Sequence, residues 1–310
     1  MTSRDFTNKQ AIRESVPLLV GLMGPSGSGK TYSALRLASG MQTVTGGEIF
    51  CIDTESKRAL HYADEFEFQH VEFNAPFSPL DYLAAIEYCV KKKAKVVIVD
   101  SMSHEHEGPG GVLEWHEKEM GGDFKKQFIA WSKPKAARRR LINTLLQLGV
   151  NAIFCFRAKE KMKIVKGKDP LPLGWMPIAG DEFLYEMTAN CLLYPASGGV
   201  PTWKTNEIGE KAMLKLPRQF EGVFSKTQPL SEEIGTTLAE WAAGGETSTP
   251  DGFDAEDLTT DAVIADIGNA PDTDAVRMIA EESKGKAWTD KQREEIREAI
   301  KARTAALKAA

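Results

Sequence analysis

The chain has 310 residues, of which 42% are hydrophobic and 27% charged, with a formal net charge of −5. That balance belongs to a folded globular protein and excludes a disordered polyelectrolyte; no apolar run is long enough to cross a bilayer, so no membrane role is expected. The polar start "MTSRDFTNKQAIRES" carries no apolar signal core, and the four cysteines form no C-x-x-C pair, so a cytoplasmic protein with buried free thiols is expected.

The averaged charge conceals an asymmetry. From Thr227 to Ala310 there are 18 acidic and 9 basic side chains, a net of −9, which leaves +4 on residues 1–226. A mildly basic body therefore precedes an acidic C-terminal region.

In chain order, "PLLVGLM" (17–23) predicts a buried strand and "TYSALRLASGM" a helix. "EIFCID" (48–53) is a second strand, and the alternating "FEFQHVEF" (66–73) a third. "SPLDYLAAIEYCVKKK" has helical spacing, with Ser78 as cap and lysines in its last turn. "KVVIVD" (95–100) is a strand, "ARRRLINTLLQLGV" a helix, and "NAIFCF" (151–156) the next strand; "NCLLYP" and "KAMLKLP" add later ones. Strands alternating with helices predict an α/β domain over residues 1–240, with a mainly parallel sheet covered on both faces. The Gly-, Pro-, Thr- and acid-rich stretch at 241–260 reads as a flexible linker, and no Lys or Arg occurs between Lys226 and Arg277. Residues 261–310 read as a small helical appendage. Its last helix opens with a Thr289/Gln292 capping box and carries Ile296, Ile300 and Leu307 as its apolar stripe.

"GPSGSGKT" matches G-x-x-x-x-G-K-[ST] and sits between a strand and a helix, as a phosphate loop requires. The loop Gly24, Pro25, Ser26, Gly27, Ser28 and Gly29 is expected to wrap around phosphates, its glycines letting backbone N–H groups point inward. Lys30 would reach the β/γ-phosphates, and Thr31 a Mg²⁺ ion. ATP and Mg²⁺ are the cofactors expected. Asp100 ends a buried strand at the edge where such sheets bind ligands, and is expected to hold the metal with Thr31.

The succession "GPSGSGKT", "FCIDTE", "VVIVDS" resembles the RecA-like P-loop ATPases, and "VDSMSHEHEGPGG" is similar to phage-encoded ATPases of that class, some of which act in single-strand annealing and recombination. The resemblance covers roughly residues 17–226. Ser101, not Glu, follows Asp100, so the water-activating acid found there in many AAA+ ATPases must lie elsewhere. The resemblance assigns that role to Glu55, with Asp53 as its rival. It also puts Arg157 at the tip of the "NAIFCF" strand, where this class carries a polar γ-phosphate sensor, often Gln; Glu55, Lys30 and Arg157 are thus the catalytic candidates.

Two basic segments are candidates for nucleic acid. "KKQFIAWSKPKAARRR" interleaves Lys133, Lys135, Arg138 and Arg139 with Phe128 and Trp131; the alternative is a solvated basic face with Trp131 in the core. Lys159, Lys161, Lys163, Lys166 and Lys168 are expected in a loop leaving the Arg157 tip. Lys215 and Arg218 are weaker candidates: in RecA-like assemblies such residues on a late strand could reach a neighbouring subunit's nucleotide, the alternative being exposed strand charges. His104 and His106 are two apart, but no further His or Cys completes a metal site, and the segment reads as a functional loop beside Asp100. The expected partners are single-stranded DNA, further copies of the chain in a ring or filament, and a protein that docks on the acidic C-terminal region. The alternative is an ATP-driven switch or loader acting on a protein without direct DNA binding.

Overall fold

Short apolar runs bounded by glycine or acid form the strands, and their side chains divide by parity between two cores. The computed structural model describes residues 15–164, 170–203, 214–225, 227–244 and 288–309, with scattered positions between 264 and 280. By internal contacts the chain divides into Met1–Ser248 and Thr249–Ala310.

In the first unit the strands are β1 (Leu19–Gly24), β2 (Glu48–Asp53), β3 (Gln69–Glu72), β4 (Ala94–Asp100), β5 (Asn151–Lys163), β6 (Leu171–Pro177), β7 (Ala189–Leu193) and β8 (Pro201–Thr202). They lie in the order β3-β2-β4-β5-β1-β7-β8, with β6 paired to β5. All neighbours from β3 to β7 are parallel, and only the β7–β8 and β5–β6 pairs are antiparallel. The helices are α1 (Lys30–Thr45), α2 (Pro79–Lys91), α3 (His104–Glu107), α4 (Val112–Met120), α5 (Ser132–Leu145), α6 (Asp181–Glu186) and α7 (Glu232–Ala242).

Period-two alternation sends Val20, Leu22, Ile98, Ile153 and Cys155 to one face, against α1 and α7 residues such as Leu35, Met41 and Leu238. Leu19, Met23, Val99, Phe154 and Phe156 go to the other, against Tyr82 and Ile86 of α2 and Leu141 and Leu145 of α5. The expected mainly parallel sheet with helices on both faces is the observed architecture. All four cysteines are buried free thiols. Among the described residues, no helix is long and apolar enough to cross a membrane.

Two details differ from the sequence reading. Arg157 does not end its strand: β5 runs on to Lys163 and folds back antiparallel as β6. Lys159 and Lys161 therefore project from an exposed hairpin arm rather than a loop, while Lys166 and Lys168 lie outside the described residues. Lys163 ends the strand. Residues 211–213 of "KAMLKLP" are also outside the described residues; the rest, Leu214–Pro217, forms no strand beyond one isolated bridge from Lys215 to Asn190.

In the second unit, helix α8 (Asp290–Ala309) is capped by Thr289, whose N–H donates to Gln292 Oε1 at 3.0 Å while Gln292 N–H donates to Thr289 Oγ1 at 3.4 Å. Ile267, Val276 and Ile296 form its buried cluster.

Helices α1 and α7 meet at two glycines. A methyl group on Gly40 would lie 1.7 Å from the Glu232 carbonyl oxygen, and one on Gly235 would lie 2.1 Å from that of Leu37. Arg36 locks the same contact through Nε to Glu232 Oε1 at 2.8 Å and Nη1 to Leu230 O at 2.9 Å. Exposed helical Gly→Ala normally stabilises by up to about 1 kcal/mol. Here overpacking reverses the sign: Gly40→Ala and Gly235→Ala should each destabilise by about 1–3 kcal/mol. Urea unfolding checks this, with Gly222→Ala, where an added methyl meets nothing within 4 Å, leaving the midpoint nearly unchanged.

Candidate functional site

The site forms where β1, β2, β4 and β5 end together. Their register sets Asp53 beside Asp100, Asp100 beside Cys155, and Gly24 beside Arg157. A cleft of about 610 Å³ opens there. Lys30 and Thr31 line it from α1, Asp100 from β4, Glu55 and Arg58 from the loop after β2, Arg157 from β5, and Glu107 from α3.

The 24–31 loop turns into α1 through Gly27 (φ 77°) and Gly29 (φ 86°), both in the left-handed region open to glycine. Gly24 answers a different need: a methyl there would come within 2.3 Å of Ser28 Oγ. Helix α1 has no side-chain cap and no acid in its first turn, so its N–H groups and positive end remain available to an anion. Lys30 Nζ donates to the carbonyls of Gly24 at 2.9 Å and Pro25 at 2.8 Å, an arrangement a bound phosphate can compete with. Among the described residues, Ser28 Oγ is buried without a hydrogen-bond partner. The loop residues thus fit a polyphosphate.

Thr31 Oγ1 donates to Asp100 Oδ2 at 2.5 Å. Burial pushes the Asp100 carboxyl up to about 6, although the Thr31 hydrogen bond and the Lys30 charge oppose it. A buried carboxylate with no close ion-pair partner among the described residues, next to a hydroxyl, is a hard-oxygen pair that suits Mg²⁺ accompanying a nucleotide. The Asp100–Ser101 peptide is cis.

Glu55 and Arg157 form a two-point pair: Arg157 Nε donates to Oε1 at 2.7 Å and Nη2 to Oε2 at 2.5 Å. Arg157 N–H also donates to Ser103 Oγ at 2.8 Å. Burial would raise the Glu55 carboxyl, but the hydrogen bonds and charge of Arg157 hold it below the usual glutamate value. Arg157 is thus engaged with Glu55 instead of standing free as a strand-tip cation.

Asp53, the rival acid, is 2% exposed and turned inward. It accepts from the N–H groups of Glu55 at 2.7 Å and Ala59 at 3.0 Å and contacts His70 Nε2 at 3.1 Å, so it holds the loop rather than facing the cleft. His104 Nδ1 meets Thr54 Oγ1 at 2.8 Å and its ring stacks on Phe77, while His106 Nδ1 meets Arg138 Nη2 at 2.9 Å. Among the described residues, no group of His, Cys, Asp and Glu is arranged to hold a metal ion by itself.

The basic candidates separate into two kinds. Arg138 is not a free surface cation: it is 4% exposed and bonds Glu105 through Nε at 2.9 Å and Nη2 at 2.8 Å. Its Nε and Nη2 are committed to that buried carboxylate, and Nη1 lies 3.7 Å from Glu182 at the rim of the second groove. Lys133 pairs with Glu119 at 2.8 Å, and Lys159 more loosely with Glu107 at 3.4 Å. Lys135 lies over the Trp131 ring, which stacks on His116, and with Arg139 and Phe128 it lines a second groove of about 460 Å³. Lys161 is exposed on the hairpin. Lys215 and Arg218 do not line the cleft. Sequence reading overlooked Arg58, His61, Tyr62 and Glu107 as cleft residues; the only available signal was their closeness in the chain to Glu55 and Asp100.

Residues 17–188, more than half of the chain, match a family model described as "AAA domain". Among solved structures the chain is similar to a KaiC-like protein from the hyperthermophilic archaeon Pyrococcus horikoshii, at 15% identity and a TM-score of 0.32, over 60% of this chain and 81% of that one. No curated protein matches.

The Asp100 environment makes a stability prediction. With its folded pKa raised to about 6, the group contributes stability that is full below about pH 4 and lost as the pH rises through 6. At pH 7.5, without nucleotide or Mg²⁺, Asp100→Asn should therefore be more stable than the native chain by up to about 3 kcal/mol. Urea unfolding as a function of pH should show the difference shrinking toward pH 4.

Proposed function

From the premise that the chain belongs to the AAA-domain family, a P-loop ATPase family, we propose that it binds ATP with Mg²⁺, hydrolyses it, and uses the cycle to act on single-stranded DNA. The observation that carries the ATPase reading is one cleft shared by the phosphate loop, the Thr31–Asp100 pair and the Glu55–Arg157 pair. Lys30 and the loop amides bind the phosphates, and Thr31 and Asp100 hold the ion, which when bound neutralises charge on the phosphate oxygens. Glu55 orients the attacking water. Its depressed pKa keeps it ionised at neutral pH but makes it a weak base, so its work is orientation more than proton abstraction. That suits a loose phosphoryl-transfer transition state, in which little basicity is demanded of the nucleophile's partner. Arg157 fixes the plane of the Glu55 carboxylate and, lying on the β5–β6 arm, links it to Lys159 and Lys161.

The DNA reading is supported by the resemblance to phage-encoded annealing and recombination ATPases, by the net +4 of residues 1–226, and by the groove where Phe128 (87% exposed) and Trp131 lie among Lys135 and Arg139. Cations meet phosphates and aromatic faces stack on bases. Assembly as a ring or filament on the strand, with the acidic C-terminal region docking a protein, completes the proposal. A second reading, a switch acting on a protein partner, is favoured by the exposure of Phe124, Phe128 and Ile129 on one short segment.

Fluorescence anisotropy with labelled single-stranded DNA, with and without a non-hydrolysable ATP analogue, separates the two. The DNA reading predicts affinity that falls steeply with salt. It also predicts that the double variant Lys135→Ala/Arg139→Ala binds at least about tenfold more weakly, with a log–log salt slope shallower by about 1.4, while ATP binding is unchanged. Flat, weak binding in both nucleotide states would exclude it and favour the protein partner.

A further inference from the structure

The pairing of Arg157 with Glu55 leaves a question open: which side chain meets the charge that develops on the γ-phosphate? Among the described residues, three Lys and Arg side chains line the cleft. Lys30 rests on the loop carbonyls, in the position from which it serves the phosphates. Arg157 spends Nε and Nη2 on Glu55, and its backbone N–H is held by Ser103. Arg58 remains. Its side chain is 61% exposed, and among the described residues it makes no hydrogen bond and has one ionic neighbour, Glu55 Oε2 at 3.7 Å.

Its backbone, by contrast, is held in place. Buried Asp53 accepts from the N–H groups of Glu55 and Ala59, on either side of Arg58. The chain between them bends through Ser56 (φ 59°) and Lys57 (φ 67°), two consecutive non-glycine residues in the left-handed region. Such residues cost of order 1–3 kcal/mol each and persist only where the surroundings enforce them. Lys57 is drawn away to Glu72 at 3.1 Å, and the short 3₁₀ turn Arg58–Tyr62 follows directly. The loop therefore fixes where Arg58 begins, turns Lys57 away from the cleft, and leaves the guanidinium free to move.

We propose that Arg58 is a catalytic residue of this cleft, a cation supplied by the same chain that closes on the γ-phosphate and stabilises the transition state, while Arg157 is the positioning residue for Glu55. The inference rests on the nucleotide reading above. A guanidinium that holds only a loose ion pair in the resting cleft and gains a close partner as the phosphoryl group transfers acts on the transition state in preference to the ground state. Its loose contact with Glu55 gives up little when broken, since exposed ion pairs are weak.

The test compares native chain, Arg58→Ala and Arg58→Lys for affinity toward MgADP and toward MgADP with aluminium fluoride, alongside steady-state hydrolysis. The proposal predicts MgADP affinity within about twofold in all three. In Arg58→Ala, the tightening that aluminium fluoride brings should fall by about 100-fold or more, with kcat falling by a similar factor and KM little changed. Arg58→Lys should recover part of both. An Arg58→Ala chain that binds the fluoride complex and turns over as the native chain does would overturn the assignment. A native chain that binds no MgADP at all would overturn the nucleotide reading, and the Arg58 assignment with it.

Discussion

The parallel register of β2, β4, β5 and β1 is the constraint on which the site depends. It sets Asp53, Asp100 and Cys155 in one row and brings Gly24 level with Arg157. Because side chains alternate with period two, a slip of one residue would turn Val99 and Phe154 out of one core and Ile98 and Ile153 out of the other. Each strand is thus held by packing on both faces, and the polar residues at its end inherit that fixed position. The chemistry at the edge is positioned by apolar burial along the length of the strands.

At that edge, two carboxylates experience opposite environments. Burial pushes Asp100 up to about 6, whereas Glu55, only partly buried, is held below its ordinary value by Arg157. Separation of this kind usually marks a division of labour between titratable groups. A carboxylate that is costly to ionise awaits a cation, and Mg²⁺ fits Asp100 with Thr31. A carboxylate locked into its ionised form suits water. Helix α3 ties the same edge to more distant parts: His104 contacts Thr54, Glu105 and His106 contact Arg138, and Glu107 contacts Lys159 on the hairpin arm.

Much of this was legible in the sequence because it depends on local pattern. The phosphate loop is a short motif with strict backbone demands, and strands such as "EIFCID" and "KVVIVD" are bounded by unmistakable ends. The hairpin was harder to see. Lys159, Lys161 and Lys163 alternate with Glu160 and Met162, a period-two signal obscured by the abundance of charge. Arg138 shows a different limit. Its partner Glu105 is 33 residues away, which no local rule reveals, although Pro134, Ala137, Arg138, Leu141, Ile142 and Leu145 trace one buried helical stripe that includes it. Asp53 and Glu55, only two residues apart, could be told apart only once the backbone N–H groups that claim Asp53 were seen.

The central claim is that this cleft hydrolyses ATP with Glu55 directing the water. A single-turnover experiment tests it most directly: the full chain in excess over labelled ATP with Mg²⁺, quenched over time, for native protein and Glu55→Gln. The account predicts that both bind ATP with similar affinity, that the native chain converts it to ADP and phosphate, and that Glu55→Gln retains it intact, slowed by roughly 100-fold or more. Conversion by Glu55→Gln at the native rate would contradict the account.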